Sequence, residues 1–349
     1  SLKMGSVRIR QRLKELEKTN TNYAQLVEEF IRNDLTGFKR LYLKDREIKN
    51  LILMGDFLTE TIFREERQDN IITRAEFEKR YENTVYKTET SLSEEMDIDP
   101  EYAALIVPTM VICKDFMDLF NAEALWMPGV SLLDGIAYDF GEKKNFIKSA
   151  HNFENDILVA ARNIAKRYST GKDHIKGTTD LALAIFDSMK KVHGMGDRER
   201  LLLQIAVQLH DCGKYISMGD VAECSYQIIM ATEIIGLSTE ERQIIANAVR
   251  YNTTEFVYYS EIAGEVGMDR SVYLLIAKLT AILRIANAMD RSHYQKVKNM
   301  KAMLKDRTLL LTVDSEQDIS LELGLLMDKV EFFEEVFGIR LVFRRKRKV

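Results

Sequence analysis

The stretch VYLLIAKLTAILRIANAM (Val272–Met289) is apolar nearly all round, broken only by Lys278, Thr280, Arg284 and Asn287. A helix with one wet face keeps a polar stripe, and this one has none. It has to be enclosed by other elements, so it implies a helical bundle around itself. A bilayer is the other apolar enclosure, but no run in the chain approaches the roughly 18 uncharged residues that a spanning helix needs.

The neighbouring sequence agrees with a bundle. Residues 145–305 carry almost no strand signal. Leu181, Ile185, Met189 and Val192 share one helical face, and Ser238 with Glu241 makes a capping box before RQIIANAVRY. Only three prolines occur in 349 residues, as expected of a mostly helical chain. A hydrophobic share of 46% and a charged share of 30% are those of an ordinary globular protein. The net charge of -4 argues against a general nucleic-acid binder. The first twenty residues are rich in Arg, Lys and Glu, unlike a leader peptide. Cys113, Cys212 and Cys224 form neither a CxxC pair nor a disulfide framework, which fits a reducing cytoplasm.

The flanks differ from the bundle. In residues 1–140, SVRIR (Ser6–Arg10) and NLILMG (Asn50–Gly55) predict short strands, and Asn22–Leu35 predicts a helix. Thr73 with Glu76 is a second capping box, and Asp99-Pro100 opens a long apolar helix through about Phe120. ALWMPGVSLLDGI then predicts strand, turn and short helix. Beyond residue 305, TLLLTV and ISLEL predict paired strands, LLMDKVEFFEEVF a helix stopped by Gly338, and IRLVF a last strand. The fold class expected is α+β, mostly α, with parts at 1–142, 143–305 and 306–349.

Inside the bundle, LQIAVQLHDCGKYIS (Leu203–Ser217) ends an apolar helix on His210 and Asp211. This is either a polar helix end or a metal site. Adjacent residues on a helix point about 100° apart, so the pair alone is a weak signal. Its context strengthens it. His174 opens the helix HIKGTTDLALAIFDSM, Lys214 follows where a cation could meet a phosphate, and Asp290 ends the buried helix that carries Asn287. Imidazole nitrogens and carboxylate oxygens converging on a divalent ion would polarise a phosphate and lower the pKa of a bound water. His151, His193 and His293 read as surface or loop residues.

The segments KDHIKGTTDLALAIFDSM, LLLQIAVQLHDCGKYIS, ATEIIGLSTEERQIIANAVRY and LLIAKLTAILRIANAMDRS follow one another at the spacing of an HD domain. More narrowly, they resemble the C-terminal HD domain of the exopolyphosphatase / guanosine pentaphosphate phosphohydrolase (Ppx/GppA) family. SLKMGSVRI resembles that family's third strand of the second actin-like (ribonuclease H-like) lobe. NLILMGDFLTET lies where the family has a glycine-rich turn, and MPGVSLLDGIAYDF resembles its closing segment. The resemblance implies a partial second actin-like lobe over 1–142, an all-α HD bundle over 143–305, and a small C-terminal αβ module with a basic tail. It implies hydrolysis of phosphoanhydride bonds in polyphosphate or guanosine pentaphosphate, with the HD domain extending the substrate channel and a dimer interface. A divalent metal, Mg or Mn, and a homodimer go with it; a membrane or a specific nucleic acid does not.

Departures from the family pattern matter as much. The first lobe and the phosphate loop of the second are absent from this sequence, so the expectation is the C-terminal part of a longer protein, with the family's catalytic residues outside it. The glycine turn reads Gly55-Asp56-Phe57-Leu58-Thr59, which keeps only Gly55 and Thr59 as phosphate-binding candidates. The resemblance implies metal ligands at His174, His210 and Asp211, but Asn287 stands where the motif's last Asp belongs. Asp290 shares its helical face about 4.5 Å further along the axis and could substitute. Cys224 and Asn252 stand where two further family histidines belong. The run Arg344, Arg345, Lys346, Arg347 and Lys348 suits a polyanion or a solvated terminus. Three functions stay open: part of a Ppx/GppA phosphatase, a degenerate polyphosphate- or nucleotide-binding regulatory module, and a stand-alone HD metal phosphohydrolase.

Overall fold

A computed structural model describes residues 2, 4–17, 22–43, 46–55, 57, 70–148, 151–262, 269–297 and 299–346. The fold is α+β and mostly helical, and it divides into two compact units, Ser1–Ser149 and Ala150–Val349.

In the first unit the order is α1 (Ser6–Glu17), α2 (Tyr23–Phe38), β1 (Asn50–Ile52), β2 (Ile71–Thr73), α3 (Arg74–Thr84), α4 (Glu89–Met96), α5 (Pro100–Phe120), β3 (Ala124–Trp126) and α6 (Leu132–Lys143). The sheet order is β1-β3-β2, with β1 parallel and β2 antiparallel to β3. Asp99 caps α5 with Pro100 at its first position, and α5 buries Ile106, Val107, Met110 and Met117 as the unit's central rod. Thr73 and Glu76 form the capping box of α3. Arg74 then fastens that corner: its guanidinium donates to the Met117 and Ala122 carbonyls at 2.6 and 2.9 Å and pairs with Asp118 at 2.6 Å.

Ser6–Arg10 is helical, which overturns the strand expected there and its likeness to an actin-like strand. Over five residues Val7 and Ile9 alternate like a strand. Over twelve, Ile9 and Leu13 fall one turn apart, and both are buried against the core. The longer period wins because it is the one that finds apolar partners.

The second unit runs α7 (Phe153–Arg167), α8 (Lys172–Ser188), α9 (Lys190–His193), α10 (Asp197–Leu209), a 3-10 turn (Cys212–Tyr215), α11 (Val221–Ala231), α12 (Thr239–Arg250), α13 (Tyr259–Ile262), α14 (Arg270–Ala288), β4 (Asn299–Lys305), β5 (Thr308–Asp314), α15 (Ser320–Phe337) and β6 (Arg340–Arg345). Helix α14 is the axis, with α8, α10, α12 and α15 packed on it. Among the described residues it alone is long and apolar enough to cross a bilayer, and 61% of that window is buried inside the protein. Ser238 and Glu241 box the start of α12 as the sequence predicts. Glu241 also takes two hydrogen bonds from Arg198 on α10, at 2.6 and 2.9 Å. One apolar core extends from Ile157 to Leu341 and includes the inward face of β5, Leu309, Leu311 and Val313.

The sheet order here is β4-β5-β6, β4 antiparallel and β6 parallel to β5. The expected partner of Thr308–Asp314 was ISLEL, and this is corrected: those residues start α15, and Asn299–Lys305 pairs instead. Ile319, Leu321 and Leu323 alternate like a strand, yet Leu321 is half exposed, while Ile319, Leu326 and Phe333 enter the core at helical spacing. Gly338, at φ 63°, closes α15 in the left-handed conformation that glycine adopts freely.

Candidate metal centre

His174 lies in the first turn of α8, and Thr178, Leu181 and Ile185 continue its stripe into the core. The ring therefore points inward and is 2% exposed. His210 caps the C-terminal end of α10, and its Nδ1 lies 2.7 Å from the Val207 carbonyl. Asp211 follows, and the 3-10 turn carries the chain away. Asp290 lies just beyond α14. Its carboxylate accepts from the Gln295 backbone N–H at 2.8 Å and from the Gln295 amide at 3.2 Å.

These elements bring the side chains together. His174 Nδ1 is 2.7 Å from Asp290 Oδ2, and His174 Nε2 is 3.1 Å from His210 Nε2. Asp211 lies 3.9 Å from His174 Nε2 and 3.6 Å from His210 Nε2. Lys214 pairs with Asp211 at 2.5 Å. His174 and His210 form the floor, and the partly exposed Lys214 and His293 border the open side.

The hydrogen bonds fix the tautomers. His174 Nδ1–H donates to the Asp290 carboxylate, and His210 Nδ1–H donates to the Val207 carbonyl. In the neutral rings both Nε2 atoms then carry lone pairs. Burial, ahead of every neighbouring charge, pushes the His210 imidazole below its ordinary range. Burial alone would raise Asp211, but His210 and the Lys214 ammonium outweigh it and hold the carboxyl below its usual value. For Asp290, too, burial opposes the shift, and the hydrogen bonds from His174 and Gln295 lower it.

Two lone pairs that face each other at 3.1 Å repel unless a proton or a cation lies between them. At Zn–N or comparable bond lengths of about 2.1 Å, that separation corresponds to a ligand–metal–ligand angle of about 95°, within reach of adjacent ligands on one ion. His174, His210 and Asp211 therefore fit a divalent cation, with Asp290 and Val207 as the outer groups that orient the imidazoles.

His293, read from sequence as a surface or loop residue, belongs to this cluster. It bends back at φ 59°, and its ring stacks on His174 at 3.6 Å with 7° between the planes. Its Nε2 is 3.9 Å from Asp211, and His174, Asp211 and His293 offer ligand atoms within 4.8 Å of one another. Parallel stacking still sets it apart: an ion in the plane of His174 would lie well out of the plane of His293. Burial, then the charges of His174 and Lys214, lower the His293 imidazole to about 4. Its only sequence signal is its place three residues after Asp290. His193 is also buried rather than superficial, with Nε2 on the Phe186 carbonyl and Nδ1 accepting from Met195 N–H. His151 is exposed and pairs with Asp156.

Asn287 is buried one turn before Asp290, and among the described residues it makes none of the contacts just given. Cys224 is half-buried and Asn252 buried, the latter with its side-chain oxygen unpaired. Gly55 has φ 139° with open space where a Cβ would be, and Phe57 stacks on Tyr102 at 6.0 Å. Asp56, Leu58 and Thr59 lie outside the described residues, as do Arg347 and Lys348. Arg344 and Arg345 end β6, Arg345 donates to the Ser315 and Gln317 carbonyls at 3.0 Å, and Lys346 pairs with Asp314 at 3.6 Å.

Against curated proteins the chain has no significant match. Residues 159–331 match the family model described as Ppx/GppA phosphatase, domain III. That span runs from α7 into α15 and contains the whole histidine–carboxylate cluster, and through it the chain belongs to the Ppx/GppA phosphatase family.

Proposed function

We propose that this protein acts on the phosphoanhydride bonds of inorganic polyphosphate or guanosine pentaphosphate, and that its second unit is an HD-type bundle holding one divalent cation on His174, His210 and Asp211. The observation that carries the cation is the pair of imidazole nitrogens 3.1 Å apart, both left as acceptors by hydrogen bonds on their far sides. Two imidazoles with one carboxylate suit Mn2+, Fe2+ or Zn2+ better than Mg2+, which prefers an all-oxygen shell. When bound, the ion would polarise a phosphate oxygen and acidify a water. The chain's own groups do the rest. Asp290 keeps the His174 proton on Nδ1. Lys214 offsets the Asp211 charge and, at the open edge, has an ammonium available to a phosphate oxygen. The apolar shell of α10 and α14 keeps the floor dry.

The mixed sheet β1-β3-β2 and the glycine at Gly55 support a partial second actin-like lobe in the first unit, although Ser6–Arg10 is helical. Binding without cleavage is the second reading. It is favoured by Asn287 in place of a carboxylate.

The test is elemental analysis of the purified chain without added metal, then phosphate release from tripolyphosphate with Mn2+. About one equivalent of metal, lost in His210→Ala, together with metal-dependent release supports hydrolysis at this centre. Metal and saturable tripolyphosphate binding without release supports the second reading. A metal-free protein that binds no Mn2+ would sink both and leave a hydrogen-bonded knot in a bundle.

A further inference from the structure

A cavity of about 380 Å3 opens in the second unit between the loop after α12 and helices α14 and α15. It has no part in the function proposed above. Its size falls in the range of about 300–1,000 Å3 usual for small-molecule sites. Its walls are aromatic. Phe256 and Tyr258 come from the loop, Tyr273 from α14 and Phe332 from α15. Phe256 meets Tyr273 at 5.5 Å and 58°, and Phe332 at 4.8 Å and 45°. Tilted rings of this kind make a concave wall rather than a flat stack.

The polar groups point to one sign of charge. The Tyr258 hydroxyl donates to Glu335, which lines the cavity, at 3.3 Å. The Tyr273 hydroxyl donates to the Val257 carbonyl at 3.4 Å. With the Tyr258 and Tyr273 hydroxyls turned to internal acceptors, the lining they share with Phe256, Tyr259 and Phe332 is largely aromatic carbon. Glu255 and Glu331 add negative charge near the Tyr258 hydroxyl. The cation in the lining, Lys278, is directed away, its ammonium donating to the His193 carbonyl at 2.7 Å. Arg284 already lies 4.4 Å over the Phe332 ring from within the core, so one face of this wall already takes a cation.

We propose that this cavity binds a small organic cation of the alkylammonium class, its apolar body against Phe256, Tyr273 and Phe332 and its charge facing Glu335. Aromatic faces attract an onium group through the ring quadrupole, and a carboxylate at the rim adds Coulomb attraction that an uncharged ligand of the same shape cannot use.

The test compares two probes of one shape on the full chain: choline, and its uncharged isostere 3,3-dimethylbutan-1-ol. Both are titrated at low ionic strength and followed by calorimetry or ligand-detected NMR. Choline should bind at least about fivefold more tightly than the alcohol. Glu335→Gln, a change at the cavity rim, should weaken choline severalfold and leave the alcohol unchanged. Equal binding of the two probes would reduce the cavity to an unselective apolar cleft and overturn the proposal. So would no binding of choline to the folded wild type, or choline binding indifferent to Glu335→Gln.

Discussion

Nδ1 of His174 and Oδ2 of Asp290 lie 2.7 Å apart although 116 residues separate them in sequence. Gln295 holds both oxygens of the same carboxylate, so the acceptor is fixed before the histidine meets it. This pair decides which histidine nitrogen faces the centre. Asp290→Asn keeps the shape and removes the charge. Divalent-cation affinity should fall about 10–100-fold, as for other outer partners of ligating histidines. Asp290→Ala should in addition cost about 1–3 kcal/mol, because the buried His174 N–H and Gln295 N–H lose their acceptor. Mn2+ titration calorimetry and urea denaturation read the two effects separately.

Gly213 is the point where the turn after Asp211 touches α11. A Cβ there would lie 2.3 Å from the Val221 carbonyl oxygen and 2.6 Å from the Ser225 nitrogen, both backbone atoms. The Gly213 N–H donates to Ser225 Oγ at 2.8 Å, and that hydroxyl donates to the His210 carbonyl at 3.2 Å. Gly213→Ala should therefore destabilise the second unit by about 1–3 kcal/mol and displace Asp211. Gly219→Ala, whose Cβ would meet only Ser217 Oγ at 3.9 Å, is the matched control and should be near neutral. Thermal melts of the two variants check this.

Long elements were legible in the sequence because one pattern is repeated many times in them. Val272–Met289 has nowhere wet to face, and Asp99-Pro100 and the two capping boxes mark helix starts by chemistry that operates within four residues. Short windows misled. Ser6–Arg10 and Ile319–Leu323 alternate like strands, and only the neighbours they find in the fold decide otherwise. At the centre, the family resemblance points to His174, His210 and Asp211, and the shared helical face adds Asn287 and Asp290; the bundle brings Asp290 to the two histidines and Asp211, while Asn287 makes none of these contacts. The return of His293 was not legible. It depends on left-handed backbone at His293 and Gln295, φ 59° and 47°, which no glycine announces. Nor does spacing reveal that Asp290 binds a histidine first.

Asp115 on α5 gives the first unit a pH dependence. Burial, then the charges of Glu28 and Asp118, raise its carboxyl to about 6 from the ordinary 3.8. The folded unit keeps this proton up to about pH 6, whereas the unfolded chain releases it near 3.8. Stability therefore falls as pH rises through that window and stays lower above it. Asp115→Asn should stabilise the unit at pH 7.5 by about 1 kcal/mol, a value reduced for screening at a half-exposed site. At pH 3.5 it should change nothing. Trp126, the one tryptophan, lies in β3 of this unit, so its fluorescence during denaturation follows the right structure. Equal gains at both pH values would show that the charge is not the cause.

His293 can serve the centre as a ligand or as a ring laid on His174, and the geometry separates the two. At 3.6 Å and 7° the rings are parallel, so a lone pair on His293 does not aim at an ion lying in the plane of His174. The predicted role is stacking, which holds the His174 ring still, together with cover over the Asp211 side. His293→Phe keeps an aromatic face and removes both nitrogens. Mn2+ affinity should then stay within about twofold of wild type, while His293→Ala, which removes the stacked ring, should lose more. A stacked pair is worth about 0.5–1.5 kcal/mol, which sets the size of that loss at roughly two- to tenfold. If His293→Phe instead loses tenfold or more, the ring must turn on binding and donate Nε2. The centre would then hold its ion with three histidines and one carboxylate.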